Sequence, residues 1–242
     1  MSKNHTFYIP VMGTAFTADS PLKVAHYGIN TVIALADDVL LERLREYYSR
    51  LNNLSYNEIK KDKKDYRAER ITSYLNMVNR IVMRKFEYFT SSTKESFDEI
   101  KKYFSMLPNT SKVKGEFNKL VEEKFSFDEL SNWLKKNLLI GSIDVNIMTK
   151  VDKTNYFKKQ ELPSEYNDAH AGLRGYANSD LASSVIFSAG MNPRLYGYIA
   201  SFDDFFPQKD GYIKKKIILK VSDYRSAVIQ GKFLAKKGLW VS

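Results

Sequence analysis

The 242 residues contain no cysteine. Disulfides, thiolate metal sites and a cysteine nucleophile are therefore excluded together, and a reducing compartment suits the chain. Histidine is nearly as scarce: His5, His26 and His170 are the only three, and no two stand at metal-ligand spacing. No metal site is expected. Apolar runs such as Thr31–Ala36 and Val185–Phe187 fall far short of the roughly 18 residues that span a bilayer. The polar start, Met1–Thr6, leads into a strand-like run and not into the apolar core of an export signal. A soluble, cytoplasmic protein with no membrane partner is the expectation. Gly172 to Gly175 is too short for a phosphate loop, and neither a P-loop nor a G-x-G-x-x-G occurs.

What is present is a hydrophobic share of 43%, enough for a folded core, and a net charge of +10. About half of that excess lies in Asn53–Asn137, which carries 18 basic and 13 acidic residues. The two signs are interleaved, as in Glu58, Lys60, Lys61, Asp62, Lys63, Lys64 and Asp65. Interleaving describes a solvated helix face, whereas nucleic-acid binding wants a stripe of one sign, so nucleic acid is not favoured as a partner.

Hydrophobic patterning sets the architecture. Phe7–Met12 reads as a buried strand closed by Gly13. Asp19 or Ser20 caps a helix with Pro21 at its first position, and Gly28 stops it. Thr31–Ala36 is continuous and β-rich, as a strand buried on both faces is, and Asp37 and Asp38 open the next helix. Ser142–Lys150, Val185–Ala189 and Lys215–Ser222 are further strands, and Leu239–Val241 begins another. Asn192 with Pro193, and Asp223, cap the helices after two of them. The inner face of the last helix is read as Ala227, Val228, Gly231, Leu234 and Ala235. Between the second and third strands the rhythm breaks. Ile71, Tyr74, Leu75, Val78, Ile81 and Val82 recur at helical spacing, with Phe86 and Phe89 beyond them, and shorter helical pieces follow. Val151–Asn178 is polar and irregular, with a short helix near Glu165–Ala171.

Strand–helix alternation predicts an α/β fold with a parallel sheet. The expected architecture is a partial TIM-type (β/α) barrel of about six parallel strands. Residues 1–51 form its first two units, 52–138 a large helical insertion, and 139–242 the continuation to the sixth strand. A closed barrel needs eight strands and typically about 250 residues. The barrel-like part here is well short of that, so either the sheet is open or the chain is part of a longer barrel protein.

Three stretches at strand ends carry a resemblance: Pro10-Val11-Met12-Gly13, Asp144-Val145-Asn146-Ile147-Met148 and Ser188-Ala189-Gly190-Met191-Asn192-Pro193. In this order the chain resembles the flavin-dependent TIM barrels of the nitronate monooxygenase and FMN-linked enoyl-ACP reductase group. The step Lys220-Val221-Ser222 is similar to the enoyl-reductase component of polyunsaturated fatty acid synthases. The likeness covers about residues 7–50 and 140–242. Asp144 stands where the family has glycine. The family's later G-G-H segment and its last two strands, which hold the FMN phosphate, have no counterpart.

The resemblance implies FMN as cofactor, a small organic substrate and NAD(P)H as a candidate electron donor. It implies an oxidoreductase that is inactive as this chain alone, completed by a homo-oligomer or a downstream polypeptide. Ligands of such barrels sit at the C-terminal strand ends. The candidate cofactor-binding residues there are Met12, Gly13, Thr14, Asn146, Ala189, Gly190, Lys220 and Ser222. The Asn146 amide both donates and accepts, and the Lys220 ammonium would face a reduced, anionic flavin. His170, with Asp168 and Arg174 nearby, is the candidate acid or base. The rival reading is a non-catalytic module whose basic helices bind an acidic partner.

Overall fold

This computed structural model describes residues 18–35, 37–91, 94–123, 126–149, 152–188 and 190–241. In chain order the elements are α1 (Ser20–Val24), β1 (Thr31–Ala34), α2 (Asp38–Leu51), α3 (Tyr66–Ser91), α4 (Phe97–Met106), α5 (Lys112–Glu122) and α6 (Phe127–Asn137). Then follow β2 (Ile143–Met148), the two-residue strands β3 (Tyr156–Phe157) and β4 (Gln160–Glu161), α7 (Asp168–Ala177), β5 (Ser184–Ser188), α8 (Pro193–Tyr198), β6 (Lys216–Leu219) and α9 (Tyr224–Ala235). The expected strand at Phe7–Met12 lies outside the described residues. No helix among the described residues is long and apolar enough to cross a membrane.

The expected α/β class holds. β1, β2, β5 and β6 form one parallel sheet in that spatial order. Val241 adds a parallel bridge to Ile217 on the far side of β6. Each strand is laid beside its predecessor in one direction. A doubly wound sheet reverses direction at a switch point, whereas a barrel wall advances steadily. Among the described residues the sheet is open, and no closed barrel is formed.

Side-chain alternation divides the sheet into two unlike faces. Ile33, Ile143, Val145, Ile147, Val185, Phe187 and Ile217 enter a core shared with Leu41, Ile71, Tyr74, Leu75, Val78, Leu173, Tyr176 and Leu234. Parallel strands require long crossovers, and here α2, α3, α7 and α9 supply the cover. The alternate positions include Asp144, Asn146, Met148, Ser184, Ser188 and Lys216, so the opposite face is far more polar. Every residue of β1 is buried, as expected for that run.

The helical stretch 52–138 is not one separate body. Ile71 to Val82 of α3 belong to the core against the sheet. A second cluster joins Phe89 at the end of α3 to Ile100, Tyr103, Phe104, Phe117, Leu130 and Leu134, with the Phe104 and Phe117 rings stacked at 3.8 Å. The physical division thus falls inside α3. The segment Val151–Asn178 also differs from expectation. It holds the β3–β4 hairpin and a ten-residue helix, α7, whose Leu173 and Tyr176 are fully buried. The alanines and glycines of α7 had masked its helical pattern.

Paired charges pin the connecting segments. Glu42 accepts bonds from Arg45, the Ile59 N–H and the Tyr56 hydroxyl, while Arg45 and Arg70 reach the carbonyls of Asn57 and Ile59. Burial opposes ionisation of Glu42, but these bonds together hold its carboxyl below the usual range. Arg70 also binds Asp38 at 2.8 Å, Arg67 binds Asp168 at 2.9 Å, and Arg174 forks onto Asp65. Lys215 is fully buried and donates to the carbonyls of Tyr176, Ser179 and Leu181, closing the turn before β5. Burial lowers its pKa to about 8.

α7 and α3 meet at Gly175. A Cβ there would lie 2.6 Å from Ile71 Cγ2 and 3.0 Å from the Ala68 carbonyl, whereas at Gly172 the nearest atom would be 3.8 Å away. In a helix interior Gly→Ala usually gains about 1 kcal/mol. Gly172→Ala should therefore stabilise by up to about 1 kcal/mol, while overpacking should make Gly175→Ala cost about 1–3 kcal/mol. Urea denaturation of the two variants checks the opposite signs.

Candidate functional site

The strands end in a cleft of about 540 Å³ at the C-terminal edge of the sheet. Asn146 and Met148 line it from β2, Ser188 and Gly190 from the end of β5, Lys220, Val221 and Ser222 from the loop after β6, and Ser226 and Gln230 from α9. Four expected site residues, Asn146, Gly190, Lys220 and Ser222, are thus brought to one cavity. Met12, Gly13, Thr14 and Ala189 lie outside the described residues.

Each wall has a local cause. Asn146 projects to the polar face of β2 and accepts the Ser188 hydroxyl at 2.9 Å on its Oδ1. Its amide nitrogen has no protein partner among the described residues and is left to the cleft. The turn after β5 is held by Thr149, whose hydroxyl donates to the Ser188 carbonyl at 2.7 Å and also meets the Gly190 carbonyl. Gly190 has φ of 107°, a conformation that side chains other than hydrogen rarely tolerate. Asn192 donates to the Thr149 carbonyl and accepts from the Leu195 N–H, so one side chain ties the turn to β2 and caps α8.

On the other side, the buried Tyr196 hydroxyl donates to Gln230 Oε1 at 2.7 Å, leaving the Gln230 amide nitrogen uncommitted among the described residues. Burial pushes the Tyr196 hydroxyl up to about 12. Lys220 is exposed and has no carboxylate within 4 Å among the described residues. Its backbone N–H is fixed on the Phe187 carbonyl at 2.9 Å. Asp223 accepts from the Ser226 N–H and from the hydroxyls of Ser222 and Ser226, and the backbone bond leads in holding its carboxyl below the usual range. The N-terminus of α9 is therefore already occupied by its own carboxylate.

The cavity offers amide donors from Asn146 and Gln230, hydroxyls from Ser188, Ser222 and Ser226, one ammonium and the apolar flank of Met148. Such a set grips the polar edge of a planar heterocycle. Among the described residues no His, Asp or Glu lines it. Among the described residues no group of three or more His, Asp or Glu could hold a metal ion.

His170 is placed elsewhere. It sits on α7, 2% exposed, not in a loop, and it does not line the cleft. Its ring packs 5.3 Å from that of Tyr198, and Nδ1 lies 3.6 Å from Asp152 without a hydrogen bond. Burial lowers its pKa against the pull of Asp152. Asp168 and Arg174 share its helix but turn to Arg67 and Asp65. Gln230 was missed because the inner face of α9 was sought among apolar residues. In the structure Gln230 and Leu234 are buried and Ala235 is exposed. A lone amide on that otherwise small, apolar face was the available signal.

No known protein family, curated protein or solved structure matches this chain.

Thr149→Val should remove the hydroxyl that holds the Ser188–Gly190 turn while keeping the shape of the side chain. A loss of about 1–2 kcal/mol is expected in urea denaturation. Faster amide hydrogen exchange at Gly190 and Met191 should accompany it.

Proposed function

We propose that the cleft binds the ring system of FMN and that the chain forms part of an FMN-linked oxidoreductase of the nitronate monooxygenase and enoyl-reductase type. One observation carries this reading: Asn146, Gly190, Lys220 and Ser222, widely separated in the chain, line one cavity at the C-terminal ends of parallel strands that advance in one direction. That edge is where (β/α) barrels place their ligands.

The residues present fit the ring better than the phosphate. Asn146 and Gln230 supply unpaired amide donors for ring carbonyls and nitrogens, and Met148 supplies apolar surface for a ring face. The α9 N-terminus carries Asp223, so the phosphate must be held by groups beyond those described here. When bound, FMN supplies hydride and electron transfer to an organic substrate, with NAD(P)H as the electron donor in this reading. The chain's own part is orientation and electrostatics. Asn146 and Gln230 fix the ring edge, Thr149 and Asn192 hold the Gly190 turn against it, and Lys220 offsets negative charge on the reduced ring. Among the described residues the sheet is open on one side, so their part of the cleft excludes water poorly. An open cleft should bind the ring loosely and turn over little.

FMN added to the full chain and followed by quenching of flavin fluorescence tests the reading. Saturable binding with Kd of about 10–100 µM is expected, and Asn146→Ala or Lys220→Ala should each weaken it about tenfold, or about 1.4 kcal/mol. Absence of saturable binding, or variants that fold and bind FMN as well as the parent, would overturn it.

A further inference from the structure

A second cavity, of about 370 Å³, lies at the opposite end of the molecule. The 3-10 turn Ala25–Tyr27 precedes β1, and the Ala25 carbonyl accepts from the Gly141 N–H just before β2. This pocket therefore sits near the N-terminal edge of the sheet, away from the cleft. Its walls come from four helical segments: His26 beside α1, Tyr48 and Leu51 at the end of α2, Lys85 on α3 and Lys102 on α4.

The charges around it do not balance. Lys23 is paired with Asp19 at 2.9 Å, and Asp19 also accepts the Tyr48 hydroxyl. Glu99 of α4 is engaged by the Tyr27 hydroxyl. That leaves two ammonium groups without a carboxylate within 4 Å among the described residues. Lys85 is exposed, and its Nζ donates to the Leu22 carbonyl at 2.7 Å. Lys102 Nζ lies 5.1 Å over the Tyr27 ring. His26 lines the same pocket, its ring tilted 38° against that of Tyr27 with centroids 3.9 Å apart, and its Nδ1 is buried without a hydrogen-bond partner among the described residues. Burial first, and then the two lysines, lower its pKa to about 4, so the ring is neutral at physiological pH.

We propose that this pocket is an anion site that takes a small phosphate-bearing ligand between the Lys85 and Lys102 ammonium groups, and that the bound ligand raises the proton affinity of His26. Two unpaired ammonium groups match a phosphate dianion, and each contact is a charge-assisted hydrogen bond. Leu22, Leu51 and Ile81 give the same pocket an apolar wall, which suits the organic part of a phosphate monoester. An anion there cancels the field of the lysines that keeps the imidazole neutral. By linkage, whatever raises the proton affinity of His26 is itself bound more tightly at lower pH. The site is independent of flavin binding at the other edge.

The test uses the full chain and inorganic phosphate. The His26 ring resonances, assigned with His26→Gln, are titrated with pH in phosphate, in acetate and in chloride at equal ionic strength. Phosphate should raise the His26 pKa by about one unit or more, and acetate and chloride should not. Lys85→Gln and Lys102→Gln should each weaken phosphate binding about tenfold. Lys102→Gln should in addition raise the His26 pKa without phosphate. Identical His26 titrations in phosphate and chloride, an equal shift with acetate, or undiminished phosphate binding by a folded Lys102→Gln variant would overturn the proposal.

Discussion

The parity of the strands is the constraint on which the rest depends. Ile33, Val145, Val185 and Ile217 align across the sheet and drive one face into the helical layer. Once that alignment is set, Asp144, Asn146, Ser184, Ser188 and Lys216 must face the other way. A slip by one residue would bury a carboxylate and an ammonium among leucines and expose the core. The same alignment that makes the fold stable therefore makes its second face polar, and the cleft is the upper end of that face.

Asp144 shows how far this polarity is tolerated. It is 6% exposed, and burial raises its pKa, partly offset by the Ser184 N–H that it accepts at 2.8 Å. Among the described residues other buried charges are held in sets: Glu42 with Arg45, Asp38 with Arg70, and Lys215 with three carbonyls. Removing one partner from such a set leaves a charge or carbonyl in a dry interior, which costs more than the pair contributes. The first two sets hold the segment at 56–59, and the third the turn at 176–181, against helices that the hydrophobic layer has already placed.

The two ends of the sheet have become chemically different. At the C-terminal edge, amides and hydroxyls surround one lysine, and the helix end there is neutralised by Asp223. At the N-terminal edge, aromatic and aliphatic walls surround two lysines, Lys85 and Lys102, with no carboxylate within 4 Å among the described residues. Hydrogen-bonding groups of both kinds select orientation of a ring, whereas unpaired cations select charge, so the two cavities suit different ligands.

The sequence by itself determined the class of fold. The apolar runs at 31–36, 142–150, 185–189 and 215–222, separated by capped helices, specify parallel strands because only long crossovers connect them. Asp37, Asn192 and Asp223 were legible as caps, and each accepts the expected backbone N–H. Asn146, Gly190, Lys220 and Ser222 were legible as strand-end polar or glycine positions. Only the tertiary structure decided that they meet, that His170 is buried away from the cleft, and that Gln230 turns inward. It also decided that α3 spans two cores and that Lys85 and Lys102 converge on His26. Local patterning reports which side of an element is apolar. It carries no information on which element covers that side, because such contacts join residues tens of positions apart.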